Sequence, residues 1–344
     1  DHLDLHSFPT RRSSDLGMTT RAEPIRKPDW LRVRVRSGEQ REKLFSLLSS
    51  LSLHTVCEEA NCPNLSECFC RGTATFMILG RQCTRNCTFC NVSHDAVEAP
   101  DPQEPAHVAE AVAVLGLRHA VVTSVTRDDL PDGGASQFEK TVRAIRERTP
   151  DVTVEVLIPD FRGNPEALKT VLSTRPDVLA HNVETVPRLY PAVRPMASYV
   201  QSLDLLRRVA DYAAEFSGGE SSGDQRRIRV KSGFMLGLGE TESEVEALMS
   251  DLRATGCERL SIGQYLAPSP SHHPVIAYVT PEAFAQWEKA AYNLGFEHVA
   301  SGPLVRSSWH AEEGLSSICG ANRGLAGASA WTHPALSSNP YPNV

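Results

Sequence analysis

The stretch GTATFMILGRQCTRNCTFC, residues 72–90, decides how the rest of the chain is read. Ala74–Leu79 is a short, continuous apolar run rich in strand-forming residues, so it reads as a buried strand. The loop after it delivers Cys83, Cys87 and Cys90 in the spacing C-x3-C-x2-C. Three thiolates leave a closed zinc site one ligand short, and no fourth Cys or His follows at zinc-ribbon spacing. The same three thiolates can hold three irons of a four-iron cubane and leave one iron open. A zinc or disulfide cluster is the competing reading.

Outward from this loop the sequence alternates strands and amphipathic helices. The further strands expected are Ala120–Val125, Thr153–Ile158, Val178–Ala180, Ile228–Met235 and Arg259–Tyr265. Asp101-Pro102-Gln103-Glu104 has the form of a capping box with Gly116 as the stop. Thr241 with Glu244 repeats the box before Gly256, and Thr280-Pro281 opens a last helix that Gly295 closes. Six β–α units in succession imply a parallel sheet with right-handed crossovers. A doubly wound sheet and a barrel both fit, but every unusual polar segment follows a strand, as in the C-terminal mouth of a barrel. The expected fold is therefore α/β, a partial (β/α)6 barrel of the TIM type over residues 73–310. A cysteine-bearing N-terminal extension, 18–72, precedes it, and a C-terminal segment closes it. Residues 1–17 match no structural pattern and are set aside as non-native. Residues 311–344 are rich in Gly, Ala, Ser and Pro and are expected to be disordered. Ser217–Arg226 reads as a surface loop without chemistry.

The chain has 344 residues, is 41% hydrophobic and carries a net charge of −7. The charge argues against a general nucleic-acid binder. No apolar run approaches the roughly 20 residues that span a bilayer, so no membrane role is expected. Seven of the nine cysteines fall between Cys57 and Cys90, a clustering that suits metal ligation in a reducing compartment such as the cytoplasm. Cys70 and Cys257 read as small buried hydrophobes and Cys319 has no role.

A second triad, Cys57, Cys62 and Cys68, has the spacing C-x4-C-x5-C and again lacks a local fourth ligand. The C-x3-C-x2-C loop, with an aromatic just before its third Cys, resembles the radical-SAM pattern. The blocks HTVCEEANCPNLSEC, TSVTRDDLPDGGASQF, VEVLIPDFRGN, HNVETV, FMLGLGE, IGQYLAPS and GPLVRSSWH make the chain resemble the lipoyl synthase family from about Lys27 to His310. That resemblance implies two 4Fe–4S clusters and S-adenosylmethionine. Cys83, Cys87 and Cys90 would hold the cluster that opens S-adenosylmethionine to a 5′-deoxyadenosyl radical. Cys57, Cys62 and Cys68 would hold an auxiliary cluster that is consumed as the sulfur source. Two sulfurs would enter at C6 and C8 of an octanoyl chain on a lysine of a lipoyl carrier domain. No side-chain acid or base removes hydrogen from an unactivated methylene, so a cofactor must carry that step. The family's Arg-Ser-Ser-Tyr motif corresponds to Arg306-Ser307-Ser308-Trp309, which implies Ser308 as fourth ligand of the auxiliary cluster and Ser307 as runner-up.

For S-adenosylmethionine the candidate contacts are Phe89 against adenine and the Gly133-Gly134 backbone near the methionyl part. Asn182 and Glu184 would meet the ribose and amino group, and Arg194 would pair with the carboxylate. His272 and His273 are expected to be exposed. The implied partners are octanoylated carriers (2-oxoacid dehydrogenase E2 subunits or the glycine cleavage H protein), an electron donor such as ferredoxin or flavodoxin, and cluster-delivery proteins. A biotin-synthase-like sulfur inserter, a zinc-stabilised module and an iron–sulfur carrier are the alternatives. The second triad and GPLVRSSWH discriminate against the biotin-synthase-like reading, and metal analysis of anaerobically purified protein, iron against zinc, separates the non-enzymatic ones.

Overall fold

The computed structural model describes residues 26–31, 46–51, 53–55, 64, 68, 73–217, 227–309, 311 and 313. Among the described residues eight strands form one sheet: β1 (His54–Thr55), β2 (Thr73–Ile78), β3 (His119–Ser124), β4 (Thr153–Leu157), β5 (Val178–Ala180), β6 (Arg229–Leu236), β7 (Arg259–Gln264) and β8 (His298–Gly302). Their spatial order is their chain order. β1 is antiparallel to β2, and β2 to β8 are parallel throughout. A doubly wound sheet reverses its strand order partway. This one never does, so right-handed crossovers put the helices on one face and the sheet curls around the other. β1 and β8 do not pair, which leaves the barrel open.

The longer helices among the described residues are α1 (Glu104–Val114), α2 (Ala135–Arg148), α3 (Pro165–Leu172), α4 (Tyr199–Ser217), α5 (Glu242–Ala254) and α6 (Pro281–Asn293). The Thr241–Glu244 capping box is present and Thr280 caps α6. The Asp101–Glu104 box is not formed: α1 starts at Glu104 behind Gln103, with Pro105 in its first turn and no side-chain cap. Glu104 is drawn inward instead, where it accepts the Leu79 N–H at 3.0 Å and the Gln137 amide at 2.9 Å. Two strands are additional to the six expected. β1 is only two residues long, and β8, HVASG, is a half-exposed edge without apolar alternation.

The core is built by Phe76, Ile78, Val122, Val154, Val156, Leu179, Val230 and Ile262 from the strands, against Val112, Phe138, Val171, Leu206 and Leu248 from the helices. Toward the N-terminal ends of the strands the interior turns polar. Lys231 Nζ lies 2.8 Å from Glu155, and His119 lies 3.7 Å from the same carboxylate, all of them buried. Burial alone would raise the Glu155 carboxyl, but Lys231 and His119 outweigh it and hold it at about 2. Cys257 is buried, as expected. Among the described residues no helix is long and apolar enough to cross a membrane. Residues 1–17, 314–344 and 218–226 and the cysteines Cys57, Cys62, Cys70 and Cys319 lie outside the described residues.

Candidate cluster and cosubstrate site

The cysteine loop leaves β2 through Leu79 and Gly80, both at positive φ (69° and 88°). Such backbone costs a non-glycine residue about 1–3 kcal/mol and persists only where its surroundings hold it. Leu79 is held from both sides. Its N–H donates to Glu104, and its carbonyl accepts from Arg127 at 3.2 Å. Cys83 then donates its N–H to the Ser93 carbonyl at 2.8 Å. Its sulfur accepts from the backbone N–H groups of Arg85 at 3.5 Å and Thr126 at 3.4 Å.

Arg85, between Cys83 and Cys87, is buried and forks onto two carboxylates. It donates to Asp128 at 2.7 and 3.0 Å and to Asp160 at 2.9 and 2.6 Å. Asp128 follows β3 and Asp160 follows β4, so one guanidinium ties the cysteine loop to the next two strand ends. Burial alone would lower the Arg85 pKa and raise that of Asp160. Their mutual bonds and charges reverse both, so Arg85 stays cationic and Asp160 anionic.

The far side of the loop is pinned too. Thr88 donates its N–H to Val193 at 3.0 Å and its hydroxyl to Ala192 at 2.8 Å. His273 N–H donates to the Thr88 carbonyl at 2.9 Å, and an imidazole nitrogen of His272 lies 3.1 Å from the Cys90 carbonyl. The two histidines are thus half-buried clamps, not exposed loop residues. The Pro/Ser-rich segment around them folds back because Tyr265 and Leu238 also bind His273, through its carbonyl and its ring.

Cys87 faces Arg194 and Glu184. Burial pushes its thiol up, Arg194 pulls it down, and Cys83 and Glu184 push it up again. Burial pushes Cys90 up to about 12. Thiols this reluctant to ionise release their protons when a metal takes the sulfur. Phe89 is half-buried and packs on the core. Among the described residues no three His, Cys, Asp or Glu side chains converge to hold a single metal ion.

Asn182 and Glu184 follow β5 and meet Arg194. Glu184 sits at φ 67° in an isolated bridge to Phe234. Burial raises its carboxyl, against the charge of Arg194 and a hydrogen bond from Asn182. Arg194 Nη1 donates to the carbonyls of Asn182 at 3.0 Å and Val183 at 3.3 Å, and its guanidinium lies 5.4 Å from the Tyr190 ring centre. Arg194 Nε and Asn182 Oδ1 are buried without a hydrogen-bond partner. A buried polar atom left unpaired costs about 1–3 kcal/mol. One orphaned donor and one orphaned acceptor, beside a carboxylate and three thiols, suit a zwitterionic ligand with both donors and acceptors.

Gly133 and Gly134 are explained by packing. A Cβ on Gly134 would lie 2.2 Å from Leu79 Cδ1, and one on Gly133 would lie 2.9 Å from Phe161. Their N–H groups already donate, to Leu130 and to Asp132.

The C-terminal segment crosses the mouth after β8. Leu304 accepts from Asn64 at 2.6 Å, and Asn64 lies between Cys62 and the buried Cys68. Val305 lies over Gly263 of β7, where a Cβ would stand 2.3 Å from its carbonyl oxygen. Ser307 Oγ accepts from Asn182 Nδ2 at 2.5 Å. Ser308 is half-buried beside it.

Two family models match the chain: the radical SAM superfamily over residues 77–252, and the N-terminal domain of lipoyl synthase of the radical SAM family over residues 13–62. A lipoyl synthase of Caldanaerobacter subterraneus subsp. tengcongensis is 56% identical over 292 residues, covering 85% of this chain and 98% of its own. One of Rubrobacter xylanophilus is 52% identical over 302 residues, covering 88% and 89%. Among solved structures, Streptococcus suis SuiB bound to its precursor peptide SuiA superposes with a TM-score of 0.50 at 9% identity, over 77% of this chain and 53% of that one, a likeness of fold.

Proposed function

The chain belongs to the lipoyl synthase family of radical SAM enzymes, and from that membership we propose the division of labour among its residues. The reaction is insertion of two sulfur atoms at C6 and C8 of a protein-bound octanoyl-lysine, and lipoyl carrier proteins are its substrates. Two 4Fe–4S clusters and S-adenosylmethionine serve it. When bound, these groups supply the radical that removes hydrogen from an unactivated methylene and the sulfur that replaces it.

Cys83, Cys87 and Cys90 hold the cluster that meets S-adenosylmethionine. Arg85 keeps their loop on the strand ends, and the backbone N–H groups of Arg85 and Thr126 fix the position of the Cys83 sulfur. Arg194 offers its unpaired Nε to the methionyl carboxylate, Glu184 takes the ammonium, and Asn182 Oδ1 accepts from the same ligand. Phe89 lies against adenine. Gly133 and Gly134 act by letting Leu79 and Phe161 pack beneath the loop.

Cys57, Cys62, Cys68 and Ser308 hold the auxiliary cluster. The observation that carries this reading is the bond from Asn64, inside the second triad, to Leu304, four residues before Ser308. Ser308 makes no hydrogen bond with the described residues, whereas the Ser307 hydroxyl is engaged by Asn182, which favours Ser308 as ligand. An alkoxide is a harder donor than thiolate and exchanges more readily on iron, which suits a cluster that is dismantled. The carriers we assign are E2 subunits or the H protein, with ferredoxin or flavodoxin as electron donor and cluster-delivery proteins for reloading. The compartment we assign is the cytoplasm, where clustered thiols stay reduced.

The test is anaerobic incubation with S-adenosylmethionine, dithionite and an octanoyl-lysyl peptide, followed by mass spectrometry. Lipoyl peptide, with two 5′-deoxyadenosines for each, is expected. Cleavage of S-adenosylmethionine with no sulfur in the peptide would refute the role given to the second triad.

A further inference from the structure

We propose that the Asn182–Ser307 contact couples the S-adenosylmethionine site to the segment carrying the auxiliary cluster's serine, so that filling one site tightens the other. The inference rests on the roles given above to Ser308 and to the β5 end.

The C-terminal segment is fixed near Asn64 and over Gly263. Its last fixed point before Ser308 is the 2.5 Å bond from Asn182 Nδ2 to Ser307 Oγ. The other end of the same amide, Oδ1, is buried and unpartnered. Gly233 on the neighbouring strand makes room for it, since a Cβ there would stand 3.1 Å from that oxygen. An amide is planar and rigid, so a donor that takes up Oδ1 also fixes the direction in which Nδ2 points. The hydroxyls and ammonium of S-adenosylmethionine are such donors. Hydrogen bonds in series also polarise and strengthen one another. Occupancy at Oδ1 therefore strengthens the grip on Ser307, and Ser308 is the next residue along the chain.

Linkage makes the effect reciprocal: whatever factor S-adenosylmethionine adds to the hold on Ser307, a held Ser307 adds to the affinity for S-adenosylmethionine. For one neutral hydrogen bond the factor is roughly two- to tenfold. The coupling has a chemical use. A radical made before the sulfur donor is seated is wasted as 5′-deoxyadenosine, and a serine held more firmly when the cosubstrate is bound limits that waste. Ser307 is thus a positioning residue, acting through Ser308.

The experiment uses reconstituted holoenzyme with its clusters oxidised, so that S-adenosylmethionine binds without being cleaved. Amide exchange over residues 303–309 is followed by mass spectrometry with and without S-adenosylmethionine, and its Kd is measured on the same samples. Ser307→Thr and Ser307→Val have one shape and differ only in the hydroxyl; Ser307→Ala serves should the larger side chains be excluded. In the native protein and Ser307→Thr, S-adenosylmethionine should slow exchange roughly two- to tenfold. In Ser307→Val and Ser307→Ala the slowing should vanish, the Kd should rise by the same factor, and reduced enzyme should release more 5′-deoxyadenosine per lipoyl product. Ser308→Ala should lose auxiliary iron yet keep the slowing. Full auxiliary iron in Ser308→Ala would remove the ligand assignment. Undiminished slowing in Ser307→Val or Ser307→Ala, or none in the native protein, would overturn the coupling itself.

Discussion

Replacing Arg85 with methionine removes the guanidinium that Asp128 and Asp160 share beneath the cysteine loop. The Arg85 and Asp160 side chains are 6% and 1% exposed, so water does not take the place of the lost bonds. Four hydrogen bonds of 2.6–3.0 Å disappear at once. Breaking a buried ion pair by removing one partner costs about 3–5 kcal/mol. At roughly 2–4 °C per kcal/mol for domains of this order, Tm should fall by at least about 6 °C. The sign with pH is fixed by Asp160. Burial alone would raise its pKa, but Arg85 holds the folded value below the unfolded one of about 3.9. The pair's stabilisation is therefore present above that unfolded value and is lost as pH falls through the folded one. Without Arg85, burial prevails and the aspartate takes up a proton at higher pH, so the deficit relative to native should narrow on acidification. Arg85→Lys should rescue little, because one ammonium cannot reproduce a fork onto two carboxylates. Adding Asp160→Asn to Arg85→Met should recover part of the loss. The assay is thermal unfolding of anaerobically reconstituted protein at several pH values, with iron counted per chain. A loss under about 1 kcal/mol, or a deficit that widens toward acid, would refute the reasoning.

Cys83→Ala, Cys87→Ala and Cys90→Ala should each abolish 5′-deoxyadenosine formation; native-rate formation in any one would remove that cysteine from the cluster. Cys62→Ala and Ser308→Ala should keep some cleavage but make no lipoyl product, which mass spectrometry of the octanoyl-lysyl peptide reads directly. Gly134→Ala should destabilise by about 2–3 kcal/mol, because its Cβ would stand 2.2 Å from Leu79 Cδ1 at φ 91°; denaturant unfolding measures the loss. Lys231→Met should cost about 3–5 kcal/mol at pH 7 by removing one partner of the buried Glu155 and leaving only His119 beside it. Glu155 is held at about 2 when paired, so the native protein loses this stabilisation as pH falls from the unfolded value of about 4.3 through the folded one, and the deficit shrinks with it.

The strands were legible because buried parallel strands are short apolar runs. Val178–Ala180 is found as expected, and the other five shift by a residue at one end or both. β8 escaped notice because an edge strand needs no apolar face, and HVASG has none. The cysteines we assign to the clusters stand out by spacing alone, since cluster chemistry demands several thiols close together in the chain. Arg85 was not, although it stands between two of them, because its partners Asp128 and Asp160 are 43 and 75 residues away. The signal available was an aspartate shortly after each of two successive strands, facing an arginine in the first loop. Glu104 satisfies a capping pattern that a local reading cannot distinguish from its actual use, a carboxylate turned inward to hold Leu79. His272 and His273 were misjudged for the same reason. Their partners, the carbonyls of Thr88 and Cys90, come from the cysteine loop, which for His272 and Cys90 is 182 residues earlier.

The two triads differ in what the fold must accomplish before they form. Cys83, Cys87 and Cys90 lie in one loop, which β2 presents and Arg85, Thr88 and His272 pin from three directions. The set we assign to the auxiliary cluster draws Cys57, Cys62 and Cys68 from before the first long strand and Ser308 from beyond the last one. Asn64 and Leu304, which join those regions, are 240 residues apart. Closing so long a loop in an unfolded chain has a large entropic cost, though the cost grows only slowly with length. A finished barrel removes that cost by laying β2 to β8 side by side, so that the chain returns over the mouth at Gly263 and Asn182. The residues that hold the closing segment are thus an extension of the barrel's own register. A site that depends on both ends of the fold can be opened by releasing one segment, without disturbing the loop that holds the other three cysteines.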